Sequence, residues 1–220
     1  MIEFSHVYKT YSNSVHALKN IDLKIDGGEF VFLTGPSGAG KSTLFKMISA
    51  FDQITSGEIH VAGYDLAKMT SSLIPEFRRK IGVVFQDFKL IPEKTVFENV
   101  AMPLIVRGES GNAMKRRVFE VLDQVGLGHK YEEYPLSISG GEQQRTAIAR
   151  AIVHKPGVLI ADEPTGNLDP ALAEEIMNLM EKVSAQGTTV LIATHDHEMV
   201  RRRNKRVIQI DNGTIVGDLR

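Results

Sequence analysis

The chain has 220 residues, 42% of them hydrophobic and 24% charged, and 26 Lys and Arg against 27 Asp and Glu leave a net charge of −1. That length holds one sizeable core with room for an inserted subdomain, not two full domains, and the charge balance gives no reason to expect nucleic acid or an anionic membrane as a direct partner. The absence of cysteine excludes disulfides, thiolate metal sites and a cysteine nucleophile.

The opening MIEFSHVYKTY lacks the basic and apolar regions of a signal peptide, and no apolar run approaches the roughly 18 residues of a spanning helix. A membrane role is therefore expected to run through a partner. Alternating apolar residues predict strands over 2–7 and 18–25, and the apolar run 30–33 predicts a third. A glycine loop follows, then a helix over 42–51. Residues 88–137 read as mostly helical, an inserted subdomain within a single domain of 1–220. Within it, 114–125 places Val118, Val121, Leu122 and Val125 on one face. Near-continuous apolar strands at 158–161 and 190–193 flank a helix carrying Leu172, Ile176, Leu179 and Val183. Such strands alternating with helices imply a parallel sheet covered on both faces. The basic run 201–206 reads as a solvated helix face, with anionic lipid headgroups or an acidic partner segment as the alternative.

Gly35-Pro36-Ser37-Gly38-Ala39-Gly40-Lys41-Ser42 meets every fixed position of G-x-x-x-x-G-K-[ST], between a predicted strand and a predicted helix. Its glycines let successive backbone N–H groups turn inward around phosphate oxygens. Lys41 reaches the β- and γ-phosphates, Ser42 takes a place on Mg²⁺, and Thr43 donates to another phosphate. Asp162 and Glu163 follow an apolar strand. After a phosphate loop, Asp162 is placed to hold Mg²⁺ and Glu163 to act as general base on the attacking water. Pro164 is expected to keep Glu163 extended. Gln86 and His195 each follow an apolar run, where ligands of open α/β sheets sit; Gln86 is read as sensing Mg²⁺ and water, His195 as bonding the γ-phosphate. Tyr11 offers a ring that could stack on adenine.

A second glycine pair stands in SISGGEQQR, where a hydroxyl and two glycines open a helix and so form another anion site. GPSGAGKST, Gln86, ISGGEQQR, VLIADEPTGNLD and ATHD together resemble, in order and spacing, the ATP-binding-cassette (ABC) ATPases, over essentially the whole chain. The resemblance implies an α/β P-loop cassette with a mostly parallel sheet, an N-terminal antiparallel β subdomain and the helical insertion. It also explains the second loop: Ser139, Gly140 and Gly141 are expected to cap the γ-phosphate held by a second copy, with Asp169 near the same interface. Two ATP are then sandwiched in an ATP-dependent homodimer. Ile138, Glu142 and GNLD depart from the commoner LSGGQ and SALD forms without removing a phosphate ligand.

PEFRRKIGVVFQDFKLIPEKTVFENVAMPL is further similar to the cassettes that serve bacterial cell division. That branch implies an integral membrane partner similar to FtsX, a place on the inner face of the cell membrane, and activation of peptidoglycan hydrolysis. Lipoprotein-releasing and macrolide-exporting ATPases share ADEPTGNLD and GGEQQR and remain the alternative. A GTPase reading lacks its N-K-x-D motif, since Asn204-Lys205-Arg206 continues with Val207.

Overall fold

The computed structural model describes residues 1–12, 15–166 and 168–220, so the Asn of the GNLD stretch lies outside the described residues. The N-terminal half runs β1 (Ile2–Thr10), β2 (His16–Ile25), β3 (Phe30–Thr34), α1 (Lys41–Ile48), β4 (Ser56–Val61), β5 (Tyr64–Asp65), α2 (Ile74–Arg78) and β6 (Ile81–Val84). It continues through α3 (Val96–Val106), α4 (Gly111–Gln124), α5 (Gly140–Ile152), β7 (Val158–Asp162), α6 (Pro170–Ala185), β8 (Thr189–Ala193), α7 (His197–Arg203), β9 (Arg206–Asp211) and β10 (Thr214–Leu219).

Two sheets result. One has four strands in the order β2-β1-β4-β5, antiparallel throughout. The other has six in the order β10-β9-β3-β8-β7-β6, parallel from β9 to β6 with β10 antiparallel at the edge. This is the α/β architecture expected from the sequence.

The parallel strands are buried on both faces, and their alternation divides the core. Phe30, Phe32, Leu159, Ala161, Val190 and Ile192 face a cluster shared with α3 to α6. Val31, Leu33, Val158, Ile160, Leu191 and Ala193 face α1 and the antiparallel sheet. Each large apolar side chain so buried contributes about 1.5–3 kcal/mol, so the middle of the sheet fixes β3, β7 and β8, from whose ends the candidate site projects.

Helix boundaries follow local chemistry. α1 stops short of the expected residue 51 because Ala50 turns left-handed (φ 53). There the Phe51 N–H reaches the Lys46 carbonyl and the Ala50 N–H that of Met47, the bonds of a Schellman ending. α4 buries Val118, Val121 and Leu122, with Val125 buried just beyond it, as its spacing predicts. α6 is rotated from expectation: Ala173, Ile176, Met177, Met180 and Ser184 are its buried residues, while Leu172, Leu179 and Val183 are half-buried.

The basic run is not one solvated helix face. Asn204 adopts φ 46 and ends α7, so Arg203 and Arg206 fall on different elements. Arg203 pairs with Glu174 at 2.6 Å and Glu181 at 3.5 Å. Arg206 donates to both Asp218 carboxylate oxygens at 2.8 Å and to Glu29 at 3.0 Å. Arg201 and Arg202 are exposed. The Arg206 hydrogen bonds hold the Asp218 carboxyl below its ordinary value. Their stabilisation is therefore present above the usual Asp range near pH ~4 and is lost as pH falls through the depressed value. Arg206→Ala is expected to cost about 1–3 kcal/mol, read as a lower Tm at neutral pH that narrows towards wild type in acid.

Candidate nucleotide site

The cleft opens where β3, β6, β7 and β8 end. It encloses about 1090 Å³ and is lined by Gly35, Pro36, Ser37, Gly38, Gly40, Lys41, Ser42 and Thr43 with Gln86, Asp162, Glu163, His195 and Tyr11. Ala39 alone of the predicted loop is absent from the lining; it is buried, and its carbonyl accepts the Gly213 N–H at 2.9 Å.

α1 begins at the loop with Gly40 as its N-cap (φ 112) and no side-chain cap. Its first N–H groups, at the positive end of the helix, are thus left for an anion. A Cβ at Gly40 would stand 2.9 Å from the Ala17 carbonyl, so both the turn and the close approach of β2 require glycine here. The Lys41 ammonium donates to the Gly35 carbonyl at 2.6 Å and the Pro36 carbonyl at 3.0 Å, leaving one of its three N–H donors for a phosphate.

Across the cleft, the Ser42 hydroxyl donates to Asp162 Oδ2 at 3.2 Å. Burial first, then the neighbouring Glu163 charge, hold the Asp162 carboxyl above its ordinary value against the Ser42 bond and Lys41. A cation between the two oxygens would relieve that penalty. With the Gln86 amide in the same lining, the donors are all oxygens, the kind Mg²⁺ takes. Among the described residues no group of three His, Asp or Glu side chains could hold a metal alone, so a cation here must draw further oxygens from phosphate and water.

Glu163 departs from expectation. It is left-handed (φ 49) rather than extended. Its N–H donates to the Ala193 carbonyl at 3.0 Å, continuing the β7–β8 ladder, while its own carbonyl turns to meet the Gly166 N–H at 3.3 Å. Pro164 disfavours the right-handed helical region, and these two bonds select the left-handed one at a cost of about 1–2 kcal/mol. Glu163 Oε1 lies 2.8 Å from His195 Nδ1. A carboxylate only accepts, so Nδ1 carries the proton, and Nε2 can donate to a phosphate only as imidazolium.

Tyr11 stands at the cleft edge with the Lys9 ammonium 4.8 Å from its ring centroid, which leaves the opposite face for a base. His16, Lys19, His197, Gln209, Asp211 and Asn212 also line the cleft and were missed in the sequence. They come from β2, the start of α7, the end of β9 and the β9–β10 turn, which carry no motif. The signal that could have found them is the Gly213 turn, tied to β2 by the Lys19 N–H at 2.7 Å.

Ser139, Gly141 and Asp169 do not join this cleft. They line a second hollow of about 350 Å³ with Glu142, Arg145, Leu168 and Leu172, and no residue lines both. Ser139 caps α5 in a reciprocal box: its hydroxyl accepts the Glu142 N–H at 3.3 Å, and Glu142 accepts the Ser139 N–H at 2.8 Å and its hydroxyl at 3.0 Å. Asp169 Oδ1 caps α6, accepting the N–H groups of Ala171 and Leu172 at 3.1 Å. A Cβ at Gly140 would meet nothing within 4 Å.

A phosphate loop, an acidic strand end and a separate capped glycine pair now stand in one α/β fold, and the sequence profile of the ABC transporter family matches residues 18–166. The chain belongs to the ABC transporter family of ATPases. Among individual cassettes, it is 55% identical over 218 residues to the cell division ATP-binding protein FtsE of Bacillus subtilis, spanning 99% of this chain and 96% of that protein. It is 48% identical over 217 residues to FtsE of Escherichia coli, spanning 99% and 98%. The solved dimer of the ATP-binding cassette MJ0796, in a post-hydrolysis state bound to ADP and Pi, superposes with a TM-score of 0.94 at 38% identity, covering 100% of this chain and 98% of that one. No helix of the cassette, among the described residues, is long and apolar enough to cross a membrane.

Proposed function

We propose that this cassette closes head-to-tail as a homodimer over two ATP and hydrolyses them to drive an FtsX-like integral membrane partner in cell division. The observation that carries this reading is the division of phosphate-binding features between two separate hollows. The cleft holds the loop 35–43 apart from Ala39, with Asp162, Glu163 and His195; the second hollow holds Ser139, Gly141 and Asp169. In one chain the two sets line separate hollows with no residue in common; two copies facing head-to-tail would bring the second set of one onto the γ-phosphate of the other. The dimeric cassette similar to this chain supports that arrangement.

In this reading the backbone N–H groups of the loop from Gly35 to Gly40, those of Ser37, Gly38 and Gly40 above all, cradle the phosphates, with Lys41 and Thr43 donating to them; Pro36 has no N–H to offer, and Ala39 is buried behind the cradle. Tyr11 stacks on adenine. Ser42, Gln86 and Asp162 hold Mg²⁺, which when bound neutralises the phosphate oxygens. Glu163 accepts the proton of the attacking water, His195 steadies the γ-phosphate, and Ser139, Gly140 and Gly141 cap it from the other copy. Hydrolysis then removes the charge that joins the two halves.

Residues 88–137, including α3 and α4, are assigned as the helical segment of one cassette spanning 1–220 that meets the membrane partner. The similarity to FtsE of two bacteria supports cell division, with peptidoglycan hydrolysis as the output and the inner face of the membrane as the location. Copurification with an FtsX-like protein in detergent tests this directly. A stable complex whose ATPase exceeds that of the isolated chain supports the reading, and failure to associate under any nucleotide condition overturns it.

Gly140 gives a separate test, because its open surroundings let a larger side chain fit the free protomer. Gly140→Leu is expected to leave ATP affinity unchanged while abolishing ATP-dependent dimerisation. Dimerisation as in wild type would count against capping in trans.

A further inference from the structure

The loop between β6 and α3 carries Gln86 into the cleft, and its shape is held from outside the loop. Phe88 (φ 59) and Lys89 (φ 49) are consecutive non-glycine residues in the left-handed region. The Lys89 N–H folds back on the Asp87 carbonyl at 2.6 Å and that of Phe88 on the Phe85 carbonyl at 3.1 Å. Two adjacent left-handed residues persist only when surrounding contacts fix them.

The fixing contact comes from α5. Arg150, two residues from the end of that helix, donates Nη2 to the Phe88 carbonyl and Nη1 to the Lys89 carbonyl, each at 2.6 Å. Burial lowers the Arg150 pKa, and no carboxylate pairs with Arg150 among the described residues. A half-buried guanidinium lacking a counter-ion is best satisfied by well-placed acceptors. Its planar fork meets the two carbonyls that the left-handed turn of Phe88 and Lys89 presents side by side, so the loop conformation and the arginine support each other. Further along, the buried Asn99 side chain accepts the Ile91 N–H at 2.8 Å and donates to the carbonyls of Ile91, Lys94 and Thr95. The segment therefore has little slack.

Ser139 is the N-cap of α5 and lies about 16 Å from Arg150 along a helix rising about 1.5 Å per residue. We propose that Arg150 is a positioning residue that locks the Gln86 loop to α5, so that Gln86 in one cleft and Ser139 in the other hollow move as two ends of one rigid body. Closure on a second copy at Ser139 is thereby felt at Gln86 of the same chain. The proposal rests on the reading that Gln86 works at Mg²⁺ and the attacking water, and its test separates the two.

Arg150→Met removes both donors while keeping an unbranched apolar stem; Arg150→Lys keeps the charge and a single donor point. Amide exchange is measured on the full chain with and without ATP and Mg²⁺. In Arg150→Met, residues 85–91 are expected to exchange faster and to lose their ATP-dependent protection, while residues 35–43 keep theirs. Exchange at 85–91 equal to wild type overturns the clamp, whatever the activity. In kinetics, Arg150→Met is expected to lower kcat about 10- to 100-fold with KM little changed, with Arg150→Lys intermediate. Combining it with Gln86→Ala should add little to either single change. Full additivity would mean that Arg150 acts by general stability and would refute the lock. If Gln86→Ala alone leaves kcat unchanged, the reading of Gln86 at Mg²⁺ and the attacking water fails, and the exchange experiment still decides the clamp. Should Arg150→Met fail to fold, Arg150→Lys is read by the same exchange and cycle.

Discussion

Glu163→Gln is expected to stop steady-state turnover, lowering kcat about 10²- to 10⁴-fold, the usual contribution of a positioned general base, while ATP stays bound. The amide has the same shape and its oxygen can still accept the His195 Nδ1 proton, a bond of 2.8 Å in the wild-type protein. The cleft should thus keep its geometry and lose only the proton acceptor. With hydrolysis blocked, the γ-phosphate that joins the two copies persists, and light scattering in ATP and Mg²⁺ should show twice the protomer mass. Full turnover in this variant would refute Glu163 as base. A persistent monomer that binds ATP would mean that closure needs the membrane partner or that the capping loop does not act in trans. Repeating the measurement with the partner present separates those outcomes.

Lys41→Ala is expected to weaken ATP binding about 100-fold. A charge-assisted hydrogen bond contributes about 1.5–3 kcal/mol, and 1.4 kcal/mol is tenfold in affinity. The same substitution removes the bonds from the ammonium to the Gly35 and Pro36 carbonyls, so the cradle loses its tether together with its charge. Calorimetric titration with ATP checks this, and wild-type affinity would show that the backbone alone binds the phosphates. Folding should be little affected, because those two bonds are local to an exposed loop.

The parts of the site that were legible in the sequence are those whose chemistry fixes residue types at fixed spacing. Loop 35–42 is one: glycine at Gly40 is demanded by φ 112 and the approach of β2. The capped start of α5 is another, since Ser139 and Glu142 stand three apart, as a reciprocal box requires. The backbone of Glu163 was not legible, because the proline rule excludes one region without choosing between the other two, and a tertiary bond to Ala193 decides. The buried face of α6 was not legible because apolar residues surround more than one side of the helix, Leu172, Leu179 and Val183 beside Ala173, Met177 and Met180, and because the core stripe includes Ser184, whose hydroxyl donates to the Gly28 carbonyl at 3.0 Å. A count of apolar residues cannot register a buried polar position. β4 escaped notice because only Ile59 and Val61 of its residues are buried. β9 was hidden behind arginines that look solvated until Glu29 and Asp218 are brought beside Arg206.

The reciprocal box at Ser139 bears on how fast two copies can part. Ser139 and Glu142 satisfy each other before any partner arrives, so the loop is already in shape and association costs little ordering entropy there. A surface prepared in this way does not have to fold on contact or unfold on release. In the head-to-tail pair proposed above, the lifetime of the closed state would then be governed by the charge between the halves, and the complex would behave as a clasp that springs open when its pin is cut rather than as a knot that has to be untied.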